Sequence, residues 1–405
     1  MRDQDVLPSL RKDLEFFPVQ HGGKQYILVK DHLGLVQEGK AVELPLYHLM
    51  ALLDGSRTLR DLQFLLMRHQ GGVLVGSEDI RRLVSQLDAS FLLDSERFAR
   101  SRDQIVEQFT SLGTRPCSLC GHGYPSDPDE LRKRLDEIVS ANTPASDPGK
   151  IAALVSPHID LSVGAKAYGK TYRLLRYTSP ATVVILGIGH HLAAGLFCLT
   201  EKDFSTPLGT VKTNKVLARK LKDGPSDVFA PNDFSHRSEH SVEFQVLFLQ
   251  HLLRQTPFTI VPVLCGSLLA GLPEYGREAY RKKAGPFLKS LREILSAGEE
   301  TLLVAGVDLS HTGPKFGHDQ PARSLQRLSE EHDQALLRSL ASLDADGFWT
   351  ESRRVKDRYN VCGFAALACL LEVLPGSRGQ VLRYEIWHEE ATRSAVSFAS
   401  VVFTR

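Results

Sequence analysis

The sequence predicts an α/β protein: a central mixed, mainly parallel sheet flanked by helices, preceded by a small N-terminal α+β, winged-helix-like domain. Past Lys150, short runs rich in β-branched residues alternate with helix-length amphipathic stretches, the pattern of a sheet wrapped by helices. The 405 residues exceed the size at which one hydrophobic core stops growing, so two domains are expected. Apolar residues make up 42 % and charged residues 24 %, with a net charge of +1, which is globular and excludes the basic excess of a nucleic-acid or anionic-membrane binder. No apolar run approaches the roughly 18 residues of a spanning helix, and nothing after Met1 reads as a signal peptide. Six cysteines dispersed over this length do not form a disulfide scaffold, so a reducing, cytoplasmic setting is expected.

Residues 1–98 supply the small domain. Gln25 to Val29 reads as a strand after the Gly22-Gly23 turn, and the apolar stretch Leu44 to Leu53 ends at the turn dipeptide Asp54-Gly55. Thr58, with Asp61 three residues on, has the form of a helix start ahead of Leu59, Leu62, Leu65 and Leu66. Ser77 is read as the cap of another helix, with Ile80, Leu83, Val84 and Leu87 on one face. The phrase Leu52-Leu53-Asp54-Gly55-Ser56-Arg57-Thr58-Leu59 resembles the core of PqqD-like modules, which implies a domain that docks a partner or presents a peptide. No catalytic residue is expected in it.

Residues 99–115 are polar and suit a connecting helix or linker; the larger domain then runs over 116–405. Cys117-Ser118-Leu119-Cys120 is a Cys-x-x-Cys with His122 nearby, but no second pair completes a zinc site, and an incidental pair competes with metal or redox use. Ser126 is read as the cap of a helix carrying Leu131, Leu135, Ile138 and Val139, and Asn142 to Lys150 as a loop.

Four strands follow. Ile151–Val155 ends in Ser156-Pro157-His158, and Val183–Leu186 ends in Gly187-Ile188-Gly189-His190-His191, where the glycines suggest a sharp turn. Phe258–Leu264 ends at Cys265-Gly266, and Thr301–Ala305 runs into Asp308-Leu309-Ser310-His311. Phe204 to Gly209 is read as a loop, and Val381–Trp387 and Ala395–Phe403 as closing strands. Ligands in α/β sheets collect where strands end, so His158, His190 and Asp308 are placed at one site mouth. Glu239-His240-Ser241-Val242-Glu243 precedes a strongly apolar helix, and Cys362-Gly363 opens another, where a lowered thiol pKa is expected. Cys198, Cys265 and Cys369 read as packing residues, and His236 as loop surface.

From about Cys120 to Phe403 these pieces resemble, in order, the Memo family, specifically its AmmeMemoRadiSam system protein B branch. The resemblance is carried by Gly121-His122-Gly123-Tyr124-Pro125, Ser156-Pro157-His158 and Leu186 to His191, then by Thr206-Pro207-Leu208-Gly209 and Glu239 to Glu243. Ile260-Val261-Pro262-Val263, Asp308 to His311 and Val361-Cys362-Gly363 complete it. It implies a fold like that of class III extradiol dioxygenases and a metal held by His158, His190 and Cys362, with iron(II) first and copper or zinc as other occupants. His311 then becomes a general acid or base, and Glu239, His240 and Asp308 orient ligands or substrate. The resemblance also implies a radical-SAM enzyme and an AMMECR1-like protein as partners, with a small-molecule or peptide substrate.

Asp160, two residues beyond His158, replaces the pattern many members show and reads either as a further ligand or as solvated surface. Three functions remain open on the residues: a non-haem iron oxidoreductase, a metal- or partner-binding protein without turnover, and a zinc-dependent hydrolase.

Overall fold

The computed structural model describes residues 4–69, 75–140, 148–297, 300–374 and 376–405. Contacts divide the chain into two compact units, Met1–Ser111 and Leu112–Arg405.

The first unit contains β1 (Leu14–His21), β2 (Lys24–Asp31), β3 (Ala41–Glu43), α1 (Leu44–Met50), α2 (Leu59–His69), α3 (Ser77–Ala89) and α4 (Glu96–Ser111). β1 and β2 form a hairpin about Gly22-Gly23, and β3 adds antiparallel to β2. Thr58 and Asp61 make a reciprocal capping box, Thr58 N–H donating to Asp61 Oδ2 at 2.9 Å and Asp61 N–H to Thr58 Oγ1 at 3.2 Å. The α3 expectation needs correction: Gly76 is the cap and Ser77 is already helical. Leu59, Leu62, Ile80, Val84 and Leu87 meet in one core, as their spacing requires. Arg11 lies buried beside them, paired with Asp31 at 2.7 Å and set over the Phe98 ring at 4.1 Å. Phe98 therefore fastens α4 to this unit, and the polar stretch after Glu96 is a helix up to Ser111.

The second unit contains β4 (Thr114–Arg115), α5 (Pro128–Ser140), β5 (Ile151–Ser156), α6 (Ala165–Tyr172), β6 (Thr182–Ile188), β7 (Phe197–Leu199), β8 (Asp203–Thr206), β9 (Gly209–Thr213) and α7 (Lys215–Lys222). After these come α8 (Ser241–Leu252), β10 (Thr259–Cys265), α9 (Leu268–Gly271), α10 (Arg277–Ser296), β11 (Thr301–Gly306) and β12 (His311–Thr312). The chain closes with α11 (Ala322–Ala341), α12 (Ala345–Val355), α13 (Phe364–Val373), β13 (Arg378–Glu389) and β14 (Ser394–Thr404).

Eleven strands form one mixed sheet in the order β12-β14-β5-β11-β6-β10-β9-β8-β4, with β13 on β14 and β7 on β10. The run β5-β11-β6-β10-β9 is parallel, and β14 joins β5 antiparallel. β5, β6 and β11 are almost wholly apolar because helices cover both of their faces. One core cluster unites α10, α12 and α13 with one face of the sheet, and a second unites α5, α6 and α8 with the other. Among the described residues no helix is long and apolar enough to cross a membrane.

Several local expectations are corrected. Phe204–Gly209 is not a loop but the β8–β9 hairpin, closed by Thr206 and Gly209. Asp127, not Ser126, caps α5, accepting from the N–H groups of Asp129 and Glu130 at 2.9 Å each. The loop expected over Asn142–Lys150 falls largely outside the described residues.

Candidate metal centre

Strand order explains why distant residues meet. β11 lies between β5 and β6, so the segments leaving those three strands at their C-terminal ends are neighbours. They carry His158, His190 and Asp308. α8 approaches from one face with Glu239 and His240 at its start, and α13 from the other with Cys362 just before it. The approach is close. A Cβ on Gly187 would stand 2.6 Å from Ser241 Oγ, and one on Gly306 would run into the Ser241 carbonyl. Gly187 thus serves helix–sheet contact and lies inside β6, which replaces the sharp turn expected there.

One ligand atom each from His158, His190 and Cys362 falls within a mutual 4.8 Å. His158 Nδ1–H donates to the Gly306 carbonyl at 3.1 Å, which leaves the Nε2 lone pair facing Cys362 Sγ at 3.8 Å. His190 turns Nδ1 to Glu239 Oε2 at 2.8 Å, making Nε2 its ligating nitrogen. Glu239 is held in turn by the Ser241 N–H at 2.8 Å. These acceptors behind each imidazole are what a metal-ligating histidine requires. Glu239, His190 and His240 form a second close group, yet a 2.8 Å N···O contact is a hydrogen bond. His240 lies parallel to His190, ring centroids 5.5 Å apart, and edge-on to His158 at 5.3 Å.

The electrostatics follow from burial. His158 is driven well below the usual imidazole pKa by burial and then by His190, so it is neutral, as a ligand must be. Burial works to raise Glu239, but the His190 charge and hydrogen bond outweigh it and hold the carboxylate ionised. The lowered thiol expected for Cys362 is not found. Burial, then the Asp308 carboxylate, pushes it well above the ordinary value, although the residue is half-buried and borders a cavity. Asp308 accepts from the His158 N–H at 3.0 Å, and burial raises it to about 7. His311 donates Nδ1–H to the Leu309 carbonyl at 2.9 Å, stands edge-on to Phe316, and is pushed down to about 4 by burial.

Comparison with known proteins gives the chain a family. The family model described as "Memo-like protein" matches residues 115–402. The chain belongs to the Memo-like family. A MEMO1 family protein of Aquifex aeolicus is 28 % identical over 97 % of this chain and all of its own length. Relatives from Methanopyrus kandleri (28 % identical, 72 % of this chain, 99 % of the relative) and Archaeoglobus fulgidus (29 %, 70 % and 97 %) match a share close to that of Leu112–Arg405.

Within the Memo-like domain the Gly121–Pro125 piece proves to be part of a clamp. Arg115, fully buried, pairs with Glu243 and donates to the carbonyls of His236 and Glu239, each at 2.6 Å. Glu243 also accepts from the N–H groups of Ser118 and Leu119 and from the Tyr124 hydroxyl. One helix therefore orients His190 through Glu239 and anchors the entry segment through Glu243. Cys117 and Cys120 lie in that segment, half-buried and outside the close ligand groups found among the described residues. Asp160 is exposed, its Oδ1 accepting from the Ser162 and Val163 N–H groups, which favours the surface reading.

His236 is buried, not on the surface, with Nε2–H donating to the Cys198 carbonyl at 3.1 Å. Burial lowers its pKa to about 4. Between pH about 6.5 and about 4 the unfolded chain therefore binds a proton that the folded chain does not, so stability falls as pH falls. The His236 share is about 3 kcal/mol and is complete near pH 4. Urea unfolding should show a shallower slope over that window for His236→Gln, which keeps a donor to Cys198, and no change in slope above pH 7.

Next to the ligands lies a cavity of about 260 Å³ that touches His190 and Cys362. Tyr275, Asp357 and Asn360 line it, and the sequence carried no motif for any of them.

Proposed function

We propose that residues 112–405 form a metal-dependent oxidoreductase whose iron(II) is held by His158, His190 and Cys362. The observation that carries this reading is the set of three donors within 4.8 Å, each imidazole backed by its own acceptor. One donor pair supports this: at bond lengths of about 2.1 Å to nitrogen and 2.3 Å to sulfur, a tetrahedral angle separates the two donors by about 3.6 Å. The Nε2–Sγ distance of 3.8 Å is near that value. Imidazole with thiolate favours iron, copper or zinc over calcium or magnesium. Three protein donors leave coordination positions for substrate, and bound iron(II) would supply one-electron chemistry there.

Glu239 Oε2 fixes the His190 tautomer. Asp308 Oδ2, 3.8 Å from His158 Nε2, gains and loses its proton near neutral pH, and His311 remains a neutral base through Nε2. In this reading the protein is cytoplasmic and acts in an AmmeMemoRadiSam modification pathway with a radical-SAM enzyme and an AMMECR1-like partner. Some relatives match over little more than the Memo-like share of the chain, which fits an accessory, PqqD-like role for the first unit in docking a partner or presenting a peptide.

A second reading, zinc activating water at the same donors, is favoured by Cys362, which stands where oxygen-activating iron sites usually carry a carboxylate. Anaerobic loading with iron(II) followed by nitric oxide separates the readings. A high-spin iron–nitrosyl signal in electron paramagnetic resonance, absent in Cys362→Ala, supports an open iron site. Retained iron with no such signal points to a binding protein, and turnover with zinc in the absence of dioxygen points to a hydrolase.

A further inference from the structure

The cavity beside His190 and Cys362 has an apolar wall and one charged end. Leu268 and Phe364 face it, and Tyr275 is fixed by a 2.6 Å hydrogen bond to Ser352 and a tilted contact with Phe364. Asp357 supplies a carboxylate to the lining, which contains no lysine or arginine. That carboxylate accepts from the Val361 N–H at 3.3 Å and has no ion pair among the described residues. The neighbouring His332 ring is turned to Glu351 at 2.7 Å. Lys356, Asp357 and Asn360 all hold left-handed backbone, with φ of 53°, 53° and 49°, an uncommon state for residues other than glycine. This short loop thus holds Asp357 in the cavity and delivers Cys362 to the metal donors.

We infer that the cavity takes a protonated amine with an apolar body, the ammonium on Asp357 and the apolar part against Tyr275 and Phe364, beside the metal donors. A half-buried carboxylate without a cationic partner is completed by an arriving cation, and the aromatic wall buries the apolar body beside it. A carboxylate ligand would meet the Asp357 carboxylate, with no lysine or arginine in the lining to receive it. At about 260 Å³ the cavity admits a small amine or a single lysine side chain. As a substrate site this rests on the proposed metal centre; as an amine site it stands on its own lining.

Calorimetry on the full chain, metal-free and zinc-loaded with metal content measured in each sample, tests it with three probes. These are 2-phenylethylamine, 3-phenylpropionate and a terminally blocked alanine peptide containing one lysine. Asp357→Asn keeps the acceptor for Val361 and suits left-handed backbone, so it removes the charge alone. Binding of at least one amine probe, at least tenfold weaker in Asp357→Asn at unchanged metal content, with 3-phenylpropionate weaker still, is the expected result. The stronger amine tells whether the source is a free amine or a peptide side chain. Equal binding of amine and carboxylate, no loss in Asp357→Asn, or no binding of any probe overturns the inference even when zinc is held. Amine selection in a protein that takes up none of zinc, iron and copper supports the amine site and removes the metal reading alone.

Discussion

Arg115→Met is expected to destabilise the Memo-like unit by about 3–5 kcal/mol, because it leaves the Glu243 carboxylate buried without its cation. Both side chains are fully enclosed, and Glu243 gathers Ser118, Leu119 and Tyr124 as well as Arg115. Burial alone would raise the Glu243 pKa, but Arg115 and these donors hold it below the usual carboxylate range. In the variant the carboxyl must either stay charged without compensation or take up a proton. Glu243→Gln in the Arg115→Met background should recover part of the loss, since it removes the stranded charge. Urea unfolding of both variants checks this; equal stability of Arg115→Met and the parent protein would show the clamp to be ornamental.

Glu239→Gln is expected to weaken metal binding ten- to a hundredfold with little change in folding. The glutamine oxygen can still accept from the Ser241 N–H, so the start of α8 keeps its bond. Its amide nitrogen then faces His190 Nδ1, where the carboxylate had accepted at 2.8 Å. Two donors cannot share that contact, so the imidazole moves its proton to Nε2 and loses the lone pair aimed at the metal. Competition with a chromophoric chelator measures the change. An affinity equal to that of the parent would mean that His190 does not ligate through Nε2.

The parallel centre of the sheet was legible because β5, β6, β10 and β11 are short runs of almost unbroken apolar residues, and β5, β6 and β11 lead into polar signatures. The convergence of the candidate site residues followed from those endings, since strand order converts sequence-distant His158, His190 and Asp308 into neighbours. Edge elements were harder. β8 and β9 are short and read as a Thr-Pro-Leu-Gly loop, because pairing at the sheet margin leaves little apolar pattern. His236 sits in a polar-looking stretch, which Arg115, 121 residues away, and the Cys198 carbonyl draw inward. The Cys362 thiol was misjudged for a related reason: a helix start lowers a thiol pKa where solvent and N–H groups reach it, and here burial prevails. Asp357 and Tyr275 come from separate elements, and no spacing rule joins them.

His158, His190 and Cys362 are expected to hold one metal ion between them. The measurement that tests it most directly is metal content after anaerobic iron(II) loading and desalting, in the parent protein and in His158→Ala, His190→Ala and Cys362→Ala. The parent should retain about one iron per chain and each variant close to none while remaining folded by circular dichroism. Iron retained by all three variants, or none held by the parent when iron, copper and zinc are each offered, would contradict the account.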